Sequence, residues 1–148
     1  MAEQSKPTTP APPSAEESSA VHVAVAVIRN ARGEVLLTQR HPDSHQGGLW
    51  EFPGGKIEAD EDLAGGLARE LQEELGIKVL HHESMLRIEH DYGDKQVLLD
   101  VHSVTAFAGQ PSPCEGQPMR WVDPSDLGNY ALPEANGPIV RAIVEGQP

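Results

Sequence analysis

Three carboxylates, Glu70, Glu73 and Glu74, stand close together in the sequence. At positions i, i+3 and i+4 they share one face of a helix. Carboxylates held this close repel one another unless they are protonated or bind a cation. A place in the second half of the helix adds an unfavourable interaction with the helix dipole. Oxygen-only ligation suits Mg2+, with Mn2+ as a substitute, and no Cys/His set competes for a softer metal. The same residues also describe a solvated glutamate-rich face, and taken alone they leave both readings open.

The helix that must carry them is legible. Leu63, Leu67, Leu71 and Leu75 recur every four residues as a buried stripe. The pattern predicts a helix opening at Asp60 or Glu61, running to about Leu75 and stopped by Gly76. At ~100° per residue the acidic face lies about a quarter-turn from the leucines, so it borders the core. Gly65 and Gly66 cost roughly 1 kcal/mol each relative to Ala inside a helix; the local pattern gives no reason for them beyond close packing.

Around this helix the pattern predicts strands. Val21, Val23, Val25 and Val27 alternate with His22, Ala24 and Ala26, a strand with little polar surface on either face. Asn30-Ala31-Arg32-Gly33 is a turn signal, and the strand Glu34–Thr38 is expected to hairpin onto the first. A loop at 41–48 precedes a short extended piece, Leu49–Lys56, that ends in a glycine turn. Met85–Tyr92 and Gln96–Phe107 read as strands joined at Gly93-Asp94. Met119–Val122 is a last strand, Asp123–Leu127 a helical turn, and a final helix runs from Pro133 or Glu134 to Glu145. Strands and helices mix without strict βαβ alternation, so the expected class is α+β or α/β, a mixed sheet flanked by helices.

Composition bounds the rest. A chain of 148 residues makes one ordinary domain. Residues 1–19, rich in Pro, Ser, Thr, Ala and Glu, read as a disordered tail, leaving 20–148 as the single folded domain. Eleven basic and 23 acidic residues give a net charge of −12. That is opposite in sign to the footprint of a nucleic-acid-polymer binder. A free nucleotide can still bind through divalent cations. The single cysteine, Cys114, allows no intrachain disulfide and is not expected to be a nucleophile. No apolar run approaches the ~20 residues of a membrane span, and Met1–Pro7 lacks a signal-like apolar stretch. A cytoplasmic monomer is the expectation.

Gly55, then Glu61 after five residues, then Arg69-Glu70-Leu71-Gln72-Glu73-Glu74-Leu75-Gly76-Ile77 after seven more, match the Nudix box at every defined position. The chain therefore resembles the Nudix hydrolases. That resemblance implies the Nudix fold, a mixed β-sheet sandwiched between helices, and hydrolysis at a diphosphate linkage. It implies metal held by the Gly54 carbonyl, Glu70, Glu73 and Glu74, with Arg69 pairing with Glu61 or with a member of the cluster. No covalent protein intermediate is needed: bound metal activates a water and a neighbouring carboxylate is the base.

The likeness runs on, without a gap, over roughly Val21 to Val144. It is similar there to the MutT-type 8-oxo-dGTP pyrophosphohydrolases of the family. The matching segments include Val25–Asn30, Glu51–Glu58, Glu115-Gly116-Gln117-Pro118 and Pro133-Glu134-Ala135-Asn136. This resemblance implies Mg2+-dependent hydrolysis of 8-oxo-dGTP, and of 8-oxo-GTP, to monophosphate and pyrophosphate. Such an activity sanitises the nucleotide pool and prevents mutation. It makes Glu115 a further metal ligand or the base, delivered by a loop. It places Arg40, His45 and Phe52 in the nucleoside pocket, Asp94 and Lys95 on a hairpin near the ligand, and Asn136 as the base reader. Lys95 departs from the arginine usual in that group and loses the planar fork.

Asn136 has a physical logic. Guanine offers two acceptors, O6 and N7, on one edge. Oxidation at C8 puts a hydrogen on N7. An asparagine amide, one donor group and one acceptor, then matches O6 and N7–H together. The alternative is a helix-start residue capping its own backbone. His22, His81, His82, His90 and His102 read as packing or surface residues, and Trp50 and Trp121 as core or pocket wall. Two other functions stay open: Nudix hydrolysis of another nucleotide, such as a pyrimidine triphosphate or a dinucleotide, and a non-catalytic nucleotide-binding module. Members of the last kind usually lose box carboxylates, and here all are present.

Overall fold

The computed structural model describes residues 20–42 and 47–146. The expected tail at 1–19 lies outside the described residues. β1 (Ala20–Ile28) is the centre of a four-stranded mixed sheet. It pairs antiparallel with β4 (Gly54–Lys56) on one side and parallel with β6 (Gln96–Ala108) on the other. β5 (Lys78–Asp91) closes the far edge against β6. A second sheet, ordered β3–β2–β7, holds β2 (Val35–Gln39) between β3 (Trp50–Glu51) and β7 (Met119–Val122).

β1 is buried on both faces, as its valine and alanine pattern requires. Val25 and Val27 join one core with Ile139 and Ile143 of the C-terminal helix α2 (Gly137–Glu145). Ala24, Ala26 and Ile28 join the other with Leu67, Leu71 and Leu75 of α1 (Leu63–Leu75). The mixed sheet is thus covered by a helix on each face. Burying each leucine of α1 contributes about 1.5–3 kcal/mol, which secures the helix that carries the acidic face.

The helix starts later than its pattern suggested. Asp62 is the N-cap, accepting a hydrogen bond from the Gly65 N–H at 2.8 Å. A Cβ on Gly66 would press against Ile57 and the Glu61 carboxylate, at 3.0 and 3.2 Å. Close packing therefore explains that glycine. Gly76 ends the helix with φ 72°.

Two expectations are corrected. β1 and β2 do not form a hairpin ladder; they share one isolated bridge, Arg29–Val35, and then diverge into different sheets. Both edges of β1 are already taken by β4 and β6, so β2 has no free edge to join. β5 begins at Lys78, seven residues before the expected Met85. Irregularities between Val79 and His81, between His81 and His82, and between Ser84 and Leu86 break the alternation that would have revealed it. His81 and His82 accordingly lie within a strand.

The four-stranded sheet carries a polar cluster. Asp100 is only 2% exposed, and it contacts His22 Nε2 at 3.0 Å, Arg87 at 3.4 Å and His102 Nε2 at 3.4 Å. His102 Nδ1 in turn lies 2.9 Å from His82 Nδ1. These contacts tie β1, β5 and β6 together. Truncating the buried carboxylate would strip its partners of their acceptor. Asp100→Ala is expected to destabilise by ~2 kcal/mol, a fall of roughly 4–8 °C in melting temperature. Thermal melts at neutral pH check this; an unchanged midpoint would remove Asp100 from the account of stability.

Candidate active site

The site begins with a guanidinium. Arg69 Nε donates to Glu61 Oε2 at 2.6 Å and a second nitrogen donates to Glu61 Oε1 at 2.9 Å. Its other donors reach Glu70 at 3.2 Å, Glu73 at 3.2 Å and the Lys56 carbonyl at 3.1 Å. One planar fork thereby joins the loop before α1 to two of the three helix carboxylates. Arg69 pairs with Glu61 and with cluster members together, where the sequence offered these as alternatives. The Arg69 fork, then the Glu58 N–H, hold the Glu61 carboxyl down to about 2.

Two glycines let strand and helix meet. Gly54 adopts φ 147°, and a Cβ there would collide with the Ala24 carbonyl across the β1–β4 pairing. A Cβ on Gly55 would land on the Glu70 carboxylate. A side chain at 55 would thus fill the cradle in which Glu70 sits.

Electrostatics crowd this place with negative charge. Burial pushes the Glu70 carboxyl up, against the pull of Arg69; Glu73 and Glu115 add to the rise. Glu74 is pushed up to about 8, first by burial and then by Glu51, Glu70 and Glu115, although the Gly54 N–H donates to it at 3.3 Å. Glu73 points outward, its side chain 53% exposed.

These residues fit a hard divalent cation. The donors are all oxygen, the Gly55 cradle leaves Glu70 room, and the repulsion at Glu74 calls for positive charge. Among the described residues no three His, Cys, Asp or Glu side chains are already drawn together as a metal-holding group.

Beside the carboxylates opens a cleft of about 710 Å³. Gly54, Glu74, Glu115, Arg40, Phe52 and Asn136 all line it. Glu61, Arg69, Glu70 and Glu73 stand alongside, joined by the fork rather than on the cleft wall. Asp94 and Lys95 are exposed at the β5–β6 turn and are not on that wall; Tyr92 of the same hairpin is. His45 lies outside the described residues. Asn136 is 9% exposed and makes no side-chain cap hydrogen bond, although it occupies the N-cap position of α2. The capping role considered for it is therefore not what its side chain does.

Three cleft residues went unassigned at the sequence level. Glu51 accepts from Arg40 Nε at 2.7 Å, and burial raises its carboxyl despite that arginine. The Thr38–Glu51 register brings β2 and β3 side by side there, a pairing invisible before the second sheet is known. Tyr92 sits one residue from the turn signal. Gln117 belongs to a segment quoted for its likeness but given no role.

Comparison with known proteins agrees with this geometry. The model of the NUDIX domain family matches residues 24–142. An 8-oxo-dGTP diphosphatase of Escherichia coli is 37% identical over 123 residues, covering 83% of this chain and 95% of that protein. A CTP pyrophosphohydrolase of the same organism is 37% identical over 120 residues, covering 81% and 89%. A solved structure from a study of MutT of Aliivibrio salmonicida and Vibrio cholerae superposes with a TM-score of 0.79 at 39% identity, covering 86% of this chain and 99% of that one.

The raised Glu74 carboxyl has a consequence for the metal-free protein. With about 8 in the folded state against an ordinary 4.5 when unfolded, the folded protein holds a proton that the unfolded chain lacks between those values. The stability contributed by this protonated group is fully present below pH 4.5 and is lost as pH rises through 8. Glu74→Gln should therefore melt higher than the wild type above pH 8, by at least about 2–4 °C. The gap should close toward pH 4.5. Melts in chelator across this range decide it; a gap independent of pH would refute the assignment.

Proposed function

The chain belongs to the NUDIX domain family, and on that premise we propose that it hydrolyses 8-oxo-dGTP, with Mg2+, to the monophosphate and pyrophosphate. 8-oxo-GTP is expected to share the site. One observation carries the choice of base. Asn136 presents a buried amide without a capping bond in the same cleft as Glu74 and Glu115. A buried amide left unpaired costs ~1–3 kcal/mol, and an oxidised guanine edge would satisfy both of its halves.

The geometry supports the following roles. Phe52, 4% exposed, offers an apolar wall for the base. Arg40, anchored by Glu51, lines the cleft. Glu70, Glu73, Glu74 and Glu115, with the Gly54 carbonyl, are the oxygens that would hold the ion. Bound divalent metal neutralises phosphate oxygens and acidifies a water. Arg69 keeps Glu61, Glu70 and Glu73 in fixed relation. Glu70 or Glu115 accepts the proton of the attacking water. Water adds across the phosphoanhydride, and pyrophosphate leaves as one piece.

The relative named CTP pyrophosphohydrolase has the same identity to this chain as the 8-oxo-dGTP diphosphatase. That favours keeping a pyrimidine triphosphate as the second reading. Pyrophosphate release with Mg2+, comparing 8-oxo-dGTP, dGTP and CTP at low concentration, separates the two. Preference for the oxidised nucleotide is expected, and Asn136→Ala should reduce it about 10–100-fold, equivalent to ~1–3 kcal/mol. Fast CTP turnover untouched by Asn136→Ala would overturn the reading in favour of the second. Glu70→Gln should lower turnover by at least about 100-fold; binding with no turnover in either protein would mean a non-catalytic module.

A further inference from the structure

We propose that Gln117 is a positioning residue that locks Glu115 to the C-terminal turn of α1. The proposal rests on the reading of Glu115 as an ion-holding carboxylate or base.

Glu115 sits on the long connection between β6 and β7, and its side chain makes no hydrogen bond to the described residues. It is exposed, yet it stands close enough to Glu70 and Glu74 to raise both. Something other than its own carboxylate must therefore hold it there. The connection docks on the end of α1, whose last carbonyls have no donor within the helix. The Ser112 N–H donates to the Leu75 carbonyl at 3.0 Å, and the Cys114 N–H to the Glu74 carbonyl at 3.0 Å. These are main-chain bonds that many sequences could make.

Gln117 adds what only a side chain can. Its Nε2 donates to the Glu74 carbonyl at 3.1 Å, and its Oε1 accepts from the Glu115 N–H at 3.0 Å. A single amide uses its donor and its acceptor to join two carboxylate-bearing residues 41 positions apart. Gln117 is half-buried and lines the cleft between them. The backbone of Glu115 is thereby indexed to the backbone of Glu74. Such preorganisation matters because a displacement of about 1 Å at a reacting group can cost ~100-fold in rate.

The test uses Gln117→Met, which keeps length and loses both bonds, and Gln117→Glu, which keeps only the acceptor. Amide hydrogen exchange followed by NMR reports on the anchor without turnover. In Gln117→Met the Glu115 N–H should exchange about 10-fold faster, while the amides of Leu67 and Leu71 stay as in the wild type. Under the proposed reaction, kcat should fall on the order of 10-fold, with KM for the nucleotide changed by less than about twofold. The Mg2+ concentration giving half-maximal rate should rise several-fold. Gln117→Glu should fall between the two. Combined with Glu115→Gln, the Gln117→Met change should add less than about twofold further loss, because its effect runs through Glu115.

Unchanged Glu115 exchange, or losses that multiply in the double variant, would overturn the proposal. So would a uniform rise in exchange across α1, which would mark Gln117 as a general stabiliser. Failure of the functional reading looks different: the wild type would turn over no nucleotide, while the exchange result would still decide the anchor.

Discussion

The site depends on one guanidinium set among carboxylates. Glu61, Glu70 and Glu73 each lie within hydrogen-bonding distance of Arg69, and Glu58 approaches it at 4.0 Å. Exposed ion pairs of this kind each contribute little, typically 0.2–1 kcal/mol. The value of the network lies in geometry. The fork is planar and its donors are fixed in relation to one another. Holding Glu61 with two of them and the Lys56 carbonyl with a third sets the turn before α1 against the helix itself. Glu74 has no such cation and is left with its burial, its like-charged neighbours and one backbone N–H. Among the described residues the protein thus neutralises one side of the cluster and leaves Glu74 with no basic side chain of its own.

The sheet makes this arrangement possible by bringing the parts close. β1 presents small residues, Ala24 and Ala26, toward α1, and β4 crosses beside them with glycine at 54 and 55. Larger residues at those places would hold the helix away from the strand or push Glu70 out of its cradle. The leucine stripe presses the helix inward while the glycines allow contact. Packing and chemistry therefore constrain the same few ångströms. That is also why Gly66 is tolerated inside a helix despite its propensity.

The cleft draws on distant parts of the chain. The residue after β2 supplies Arg40 and β3 supplies Glu51, the β5–β6 hairpin supplies Tyr92, the connection before β7 supplies Glu115, and the start of α2 supplies Asn136. The carboxylates lie at one side of this cleft and the buried amide in its wall.

Much of the site was legible in the chain itself. The i, i+3, i+4 spacing places Glu70 and Glu73 on one helix face, near enough for a single arginine to reach both, because helix geometry is local. The leucine period and Gly76 likewise set where α1 lies and where it stops. Resemblance added the residues of the cleft, Arg40, Phe52, Glu115 and Asn136. The tertiary structure alone decided the rest. It decided that β2 leaves β1 for another sheet, that Glu51 faces Arg40, that the Asn136 amide caps nothing, and that Gln117 bridges two carboxylate-bearing residues. It also gathered His22, His82, His102 and Arg87 around Asp100. The physical reason is range. Periodicity and spacing describe what a residue meets within a few turns of its own helix or strand. Register between strands, and the docking of a long connection on a helix end, join residues tens of positions apart, and only the packed chain brings them together.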